Sequence, residues 1–114
     1  MSSDNFVVAI SADTMGNGSE ELGKILVKAF IYSLTELPVP PDVLVFFNSG
    51  VHLTSNESNT IDDLKALEEK GTKMLICGTC VNYYGLQEKL AVGTISNMNE
   101  ITQMMADAAR LINI

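Results

Sequence analysis

Residues 6–47 read FVVAISADTMGNGSEELGKILVKAFIYSLTELPVPPDVLVFF. In this stretch, two short apolar runs flank one long segment with helical periodicity. The runs Phe6–Ser11 and Val43–Phe47 are bounded by polar or proline residues, which is typical of strands buried on both faces. Between them, Ser19 is a good helix N-cap, and apolar residues recur at helical spacing as far as Leu34. Three prolines then end the helix. This strand–helix–strand order indicates an α/β domain with a parallel sheet.

The alternation continues to the end of the chain and predicts a sheet of four to five strands. Thr60 opens a capping box that begins the second helix, and a polar loop precedes it. A short helix follows the third strand, and Asn97 caps the last helix. The remaining strand segments are Lys73–Cys77, Val92–Ser96 and, as either a fifth strand or the end of the last helix, Leu111–Ile114.

Length and charge restrict the class of protein. The chain has 114 residues and a formal net charge of −7, which suits one domain over 1–114 and disfavours binding to nucleic acid or an anionic membrane surface. No apolar run is long enough to cross a membrane, and the amino terminus lacks the features of a secretory signal. We therefore expect a cytoplasmic protein.

The two cysteines, Cys77 and Cys80, form a C-x-x-C pair at the end of the third predicted strand. A disulfide between such close neighbours closes too small a loop to stabilise a fold, so an extracellular disulfide scaffold is excluded. In parallel α/β folds, ligands and reactive groups gather at the carboxyl ends of the strands. Four loops are predicted at that edge: Asp13–Gly18, Asn48–His52, Cys77–Cys80 and Ser96–Asn97.

Several chemistries suit a C-x-x-C pair at this position. A helix amino terminus lowers the pKa of a thiol, and Gly78 leaves backbone amides open to a polarised sulfur atom. A second thiol three residues away can resolve a persulfide or a mixed disulfide within the chain. Thiol or sulfur chemistry is therefore favoured. Three alternatives stay open: a zinc site that uses His52, a thioredoxin-like oxidoreductase, and two small buried hydrophobic residues with no chemistry.

Four motifs in a fixed order carry a resemblance that covers nearly the whole chain: MGNGSEELGK (15–24), FFNSGV (46–51), CGTC (77–80) and VGTISNM (92–98). The series resembles the DsrE-like domain of the YedF group, sulfurtransferase-like selenium-metabolism proteins within the DsrE/DsrF family. The resemblance implies a three-layer α/β/α sandwich and a homo-oligomer, often a trimer or hexamer. It also implies a persulfide-carrying cysteine at Cys77, which makes Cys80 the resolving or supporting thiol.

The resemblance also defines what this chain lacks. The full-length YedF form carries a sulfur-carrier domain similar to TusA, which we expect this chain to lack, as a separate small protein or an excised domain, so a carrier partner would act in trans. No cofactor or metal motif is present, and nothing distinguishes selenium from sulfur. We expect a sulfur-relay protein, with a non-catalytic oligomeric binding module that has a small-molecule cleft as the alternative. The residues expected to support the cleft are Gly78, Thr79, Asn48, Ser49, Gly50, Asp13 and Asn97.

Two geometric expectations follow from the pattern. The carboxyl ends of the strands near Ser11, Phe47 and Cys77 should face one common cleft, because parallel strands end at the same edge. The first helix also has more apolar residues than one sheet face can cover. Val27, Ile31 and Tyr32 are left over by the predicted buried stripe, and such a surface marks an interface between copies of the chain.

Overall fold

Within residues 5–114, five parallel strands form one sheet, which helices cover on both faces. The computed structural model describes residues 5–114. The strands are β1 (Phe6–Ile10), β2 (Val43–Phe46), β3 (Lys73–Cys77), β4 (Thr94–Ser96) and β5 (Arg110–Asn113). The helices are α1 (Glu20–Thr35), α2 (Ile61–Glu69), α3 (Gly78–Tyr84) and α4 (Met98–Ala106), and a 3₁₀ helix spans Asn48–Thr54.

The strand order is β4-β3-β2-β1-β5, and every neighbouring pair is parallel. On one face, a hydrophobic core joins the sheet to α1, α2 and α3 through side chains such as Ile31, Leu64 and Val81. On the other face, a second core packs the sheet against α4 through Ile101. Each central strand is therefore buried on both sides, which confirms the predicted three-layer α/β/α sandwich. The sheet has five strands because the carboxyl-terminal segment pairs with β1.

Two of the predicted helix caps are present. Ser19 Oγ accepts the Leu22 N–H at 3.1 Å, and Asn97 Oδ1 accepts the Glu100 N–H at 2.8 Å. The predicted capping box at Thr60 is wrong, because the Thr60 side chain makes no cap hydrogen bond. Its hydroxyl instead donates to the Leu53 carbonyl at 3.0 Å, a buried contact that ties the start of α2 to the 3₁₀ helix.

The segment after β2 is more ordered than its polar composition indicated. It forms the 3₁₀ helix rather than an open loop, and Gly50, Val51 and Leu53 are buried in it. The buried apolar residues explain the difference, since they pack on the same core as α1 and α2. β4 is also shorter than predicted and begins at Thr94.

The face that α1 turns toward the sheet differs from the prediction. Its buried residues are Gly23, Val27, Ile31 and Leu34. Val27 and Ile31 therefore belong to the core, and their assignment to an interface is wrong. Gly23 gives the physical reason, since a Cβ there would lie 2.8 Å from Thr14 Cβ and so the helix approaches the preceding loop closely. The exposed apolar residues of α1 are Leu22, Ile25, Leu26, Ala29 and Tyr32.

Within residues 5–114, no helix has both the length and the apolar character that crossing a membrane requires.

The buried stripe of α1 can be tested by comparing a buried with an exposed apolar side chain. Ile31→Ala should lower the free energy of unfolding by about 2–5 kcal/mol, because it leaves a cavity where a fully buried side chain packed. Val39→Ala, at a 64% exposed position in the connector beyond α1, should change it by no more than about 0.5 kcal/mol. Urea unfolding measures both. Equal losses would contradict this orientation of the helix.

Candidate functional site

A cleft of about 470 Å³ opens at the carboxyl edge of the sheet, beside the cysteine pair. Its walls come from the end of β2, from α3 and from the start of α4. The residues that line it are Phe47, Asn48, Thr79, Cys80, Tyr83, Tyr84 and Met98. Of the described residues that line it, none is Asp, Glu, Lys, Arg or His, so the cleft is aromatic and electrically neutral at its wall.

The two cysteines differ in their access to this cleft. Both are free thiols. Cys77 ends β3, is only 2% exposed and packs with Ile101 in the core beneath α4. Cys80 lies one turn into α3, is half-buried and lines the cleft. The thiol that a molecule in the cleft can contact is therefore Cys80, with Cys77 behind it.

Burial raises the pKa of the Cys80 thiol above its ordinary value. The neighbouring Cys77 also raises it, through a side-chain hydrogen bond and through its charge, whereas the Asn48 backbone N–H lowers it. The expectation that the helix terminus lowers the pKa is therefore wrong for Cys80. This thiol is neutral near pH 7, and the Asn48 amide is the group that favours its ionised form.

Asn48 occupies the junction between β2 and the 3₁₀ helix. Its backbone N–H donates to Cys80 Sγ at 3.0 Å, and its side-chain Oδ1 accepts the Tyr84 hydroxyl at 3.0 Å. Its φ is +52°, and it is the only non-glycine residue within 5–114 with a positive φ. Asparagine tolerates this left-handed conformation better than most residues with a Cβ. The predicted site residue Asn48 therefore contacts the thiol directly.

The next two residues, Ser49 and Gly50, hold this junction in place. Ser49 Oγ accepts the Asp13 N–H at 3.2 Å, which ties the loop after β1 to the 3₁₀ helix. A Cβ on Gly50 would overlap the carbonyl oxygen of Ile10, so only glycine allows this approach to the end of β1. Ser49 supports the site through its hydroxyl and Gly50 through its backbone, and neither residue lines the cleft.

The other predicted site residues are divided between the cleft and its surroundings. Thr79 lines the cleft, and Gly78 packs so closely on β4 that a Cβ would lie 3.0 Å from the Ser96 carbonyl oxygen. Asn97 caps α4 and thereby fixes the helix whose first residue, Met98, reaches the cleft. Asp13 lies elsewhere, in a second cavity of about 420 Å³.

The carboxyl ends of the strands meet at one edge, as predicted, but they do not share one cleft. Phe47 lines the cleft with Cys80, whereas Ser11 lines a separate depression beside Ile114. The Ser11 hydroxyl donates to the Ile114 carbonyl at 2.8 Å, because β5 pairs with β1 and places the chain end there.

The sequence analysis missed Phe47, Tyr83, Tyr84 and Met98 as lining residues. A signal for the two tyrosines was available, since they follow Cys80 by three and four positions on the same short helix. Side chains at those spacings share a helix face.

His52 faces away from the thiols. It lines the second cavity with Asp13, and its ring packs on the Tyr84 ring with centroids 4.4 Å apart. Within residues 5–114, no three His, Cys, Asp or Glu side chains form a group that could hold a metal ion. A zinc site that joins His52 to the cysteines is therefore not supported by this geometry.

Comparison with known proteins identifies the family. The chain belongs to the DsrE/DsrF-like family, whose model matches residues 1–114. The fold is similar to ychN protein from E. coli, with a TM-score of 0.73, 17% identity and coverage of 96% of this chain and 99% of that chain. It is also similar to MTH1491, a protein of unknown function from Methanobacterium thermoautotrophicum, with a TM-score of 0.68, 18% identity and coverage of 95% and 96%. No curated protein matches the sequence.

The Cys80 environment predicts the pH dependence of its alkylation by iodoacetamide. In wild-type protein the midpoint for Cys80 should lie above 9.0, and Cys77→Ala should lower it by removing a hydrogen bond and a charge. Because folding raises this pKa, the contribution of Cys80 to stability is complete below pH 9.0 and is lost as the pH rises through the folded value. Peptide mapping assigns the labelled thiol. A midpoint below 9.0 in wild-type protein would contradict this account.

Proposed function

We propose that this protein accepts sulfur as a persulfide on one cysteine of the C-x-x-C pair and passes it to an acceptor thiol. The single observation that carries the proposal is the position of Cys80: a half-buried thiol that lines a cleft, with an N–H donor on its sulfur and a second thiol behind it. Membership of the DsrE/DsrF-like family supports the same chemistry.

The proposal exchanges the roles that the resemblance implied for the two cysteines. Cys80 is the thiol that receives sulfur, because a donor in the cleft can reach it while Cys77 is 2% exposed. Cys77 is then the resolving thiol, since it lies three residues before Cys80 and is close enough to raise the pKa of that thiol.

The transfer balances without an oxidant. The Cys80 thiolate attacks the outer sulfur of a donor persulfide, R–S–SH, which gives Cys80–S–SH and the thiolate R–S⁻. An acceptor thiolate then attacks the outer sulfur on Cys80, takes it as a new persulfide and regenerates the Cys80 thiolate. If Cys77 attacks Cys80 Sγ instead, HS⁻ leaves and a Cys77–Cys80 disulfide forms, which a thiol reductant must reopen.

The finer assignments are part of the same proposal. We propose membership of the YedF group, which the resemblance of the four motifs supports, with sulfur or selenium as the transferred atom. The partner is a carrier protein similar to TusA that acts in trans. A cytoplasmic location suits the chemistry, because thiols stay reduced there.

A non-catalytic binding module is the second candidate, and one observation favours it. The wall of the cleft carries the rings of Phe47, Tyr83 and Tyr84, which offer apolar contact area to an uncharged small molecule. In that case Cys77 and Cys80 would have no chemical role.

Sulfur loading followed by mass spectrometry tests the proposal. Wild type, Cys77→Ser and Cys80→Ser are incubated with a cysteine desulfurase and free cysteine, then digested and mapped. We expect wild type and Cys77→Ser to gain one sulfur atom on Cys80, and the persulfide should last longer in Cys77→Ser because the resolving thiol is absent. Cys80→Ser should gain none.

The outcomes separate the alternatives. Uptake that survives in Cys80→Ser and disappears in Cys77→Ser would return the receiving role to Cys77. No uptake in any variant would contradict sulfur relay and favour the binding module. Replacing free cysteine with selenocysteine in the same assay compares the two chalcogens.

We also propose that the chain forms a homo-oligomer through the exposed apolar face of α1. Leu22, Ile25 and Tyr32 are 52%, 60% and 52% exposed, and together they form an apolar surface on one long helix. A second copy of the chain would bury this surface, and the resemblance implies three or more subunits.

Light scattering tests the assembly. Wild type should have a multiple of the 12.3 kDa chain mass at micromolar concentration, and Ile25→Asp should reduce it to the single-chain mass. Val39→Asp is the control, because Val39 is 64% exposed and lies in the connector beyond α1. A wild-type mass of 12.3 kDa would refute the proposal.

A further inference from the structure

Asn48 has a backbone conformation that its surroundings must maintain. Its φ of +52° is unfavourable for a residue with a Cβ, and such conformations persist where neighbouring contacts fix them. Gly50 provides one restraint, since its N–H donates to the Phe47 carbonyl at 3.1 Å and its Cα side abuts the Ile10 carbonyl. These contacts fix the turn on both sides of Asn48.

The second restraint comes from α3. The Tyr84 hydroxyl donates to Asn48 Oδ1 at 3.0 Å, and the Asn48 N–H donates to Cys80 Sγ at 3.0 Å. Cys80 and Tyr84 are four residues apart on one helix, so they present their groups on the same face. One helix therefore holds Asn48 at two points, the side-chain oxygen and the backbone amide.

We infer that Asn48 and Tyr84 are positioning residues for the sulfur of Cys80. The Tyr84 hydroxyl holds the Asn48 side chain, and this keeps the Asn48 amide directed at Sγ in the left-handed turn. The amide then stabilises the sulfur when it carries negative charge, because a hydrogen bond to an ion is stronger than one to a neutral group. The inference rests on the proposed role of Cys80 as the thiol that receives sulfur.

The Asn48 amide matters for Cys80 because few other groups near the sulfur could stabilise a negative charge on it. The titratable groups that face Cys80 are the Cys77 thiol and the tyrosines at 83 and 84, and the His52 ring packs on the Tyr84 ring with centroids 4.4 Å apart. No charged side chain of the described residues lines the cleft. Within residues 5–114, no cation therefore helps the Asn48 N–H to stabilise the Cys80 thiolate. The alignment of this N–H with Sγ controls how readily the thiolate forms.

The test is the pH–rate profile of iodoacetamide alkylation in a Cys77→Ala background, where Cys80 is the only thiol. Tyr84→Phe keeps the ring on His52 and removes only the hydroxyl. We expect it to raise the midpoint of the profile by about 0.5–1 pH unit while the plateau rate at high pH is unchanged. Tyr32→Phe is the matched control, since it removes a tyrosine hydroxyl on α1, outside the cleft, and it should leave the midpoint in place.

A double-mutant cycle separates positioning from a general loss of structure. Asn48→Gly adopts the left-handed turn freely but lacks Oδ1, so it should shift the midpoint as Tyr84→Phe does. The double variant should shift it no further, because both changes remove the same hydrogen bond. Additive shifts, no shift in Tyr84→Phe, or an equal shift in Tyr32→Phe would overturn the inference.

The alkylation midpoint also distinguishes the positioning role of Asn48 and Tyr84 from the proposed sulfur relay. Alkylation needs no sulfur donor, so the expected shifts support positioning even where the loading experiment finds no sulfur uptake. Conversely, sulfur uptake on Cys80 together with unshifted midpoints would support the relay and overturn the positioning role.

Discussion

The close approach of Gly50 to the Ile10 carbonyl is the constraint on which the site depends. It brings the 3₁₀ helix against the end of β1, a contact that no side chain at position 50 could allow. This contact restricts Ser49 and Asn48. Ser49 accepts a hydrogen bond from the loop after β1, and the Asn48 N–H donates to Cys80 Sγ. A glycine that never touches the cleft thus determines the geometry at the thiol.

The sandwich separates the two cysteines although only two residues lie between them. Cys77 is still part of β3 and points into the core under α4, whereas Cys80 has turned with α3 toward the opposite layer. Cys80 contacts both hydrophobic cores, so it lies at the boundary between the layers. The change from strand to helix inside the C-x-x-C motif therefore produces one inner thiol and one outer thiol.

The sheet could be predicted because its central strands are apolar on both faces, a pattern that few other structures share. The orientation of α1 could not, since its two sides are both apolar and periodicity alone does not say which one faces the sheet. Gly23 indicates which side of α1 is buried. It lies on the same stripe as Val27 and Ile31, where the helix comes closest to its neighbours. At the site, Cys80 and Asn48 were predicted, but the hydrogen bond from Tyr84 to Asn48 could not be, because it spans 36 residues.

The charge of the chain and the charge at the site are separate properties. The protein carries a formal net charge of −7, yet none of the described residues that line the cleft is Asp, Glu, Lys, Arg or His. A sulfur anion formed there is partly removed from water and has no cation beside it, so burial disfavours it more than in bulk solvent. The Asn48 amide opposes that cost by a hydrogen bond whose strength depends on angle and distance. The reactivity of Cys80 is accordingly set by the backbone geometry of one residue, which small movements of the 3₁₀ helix relative to α3 would alter.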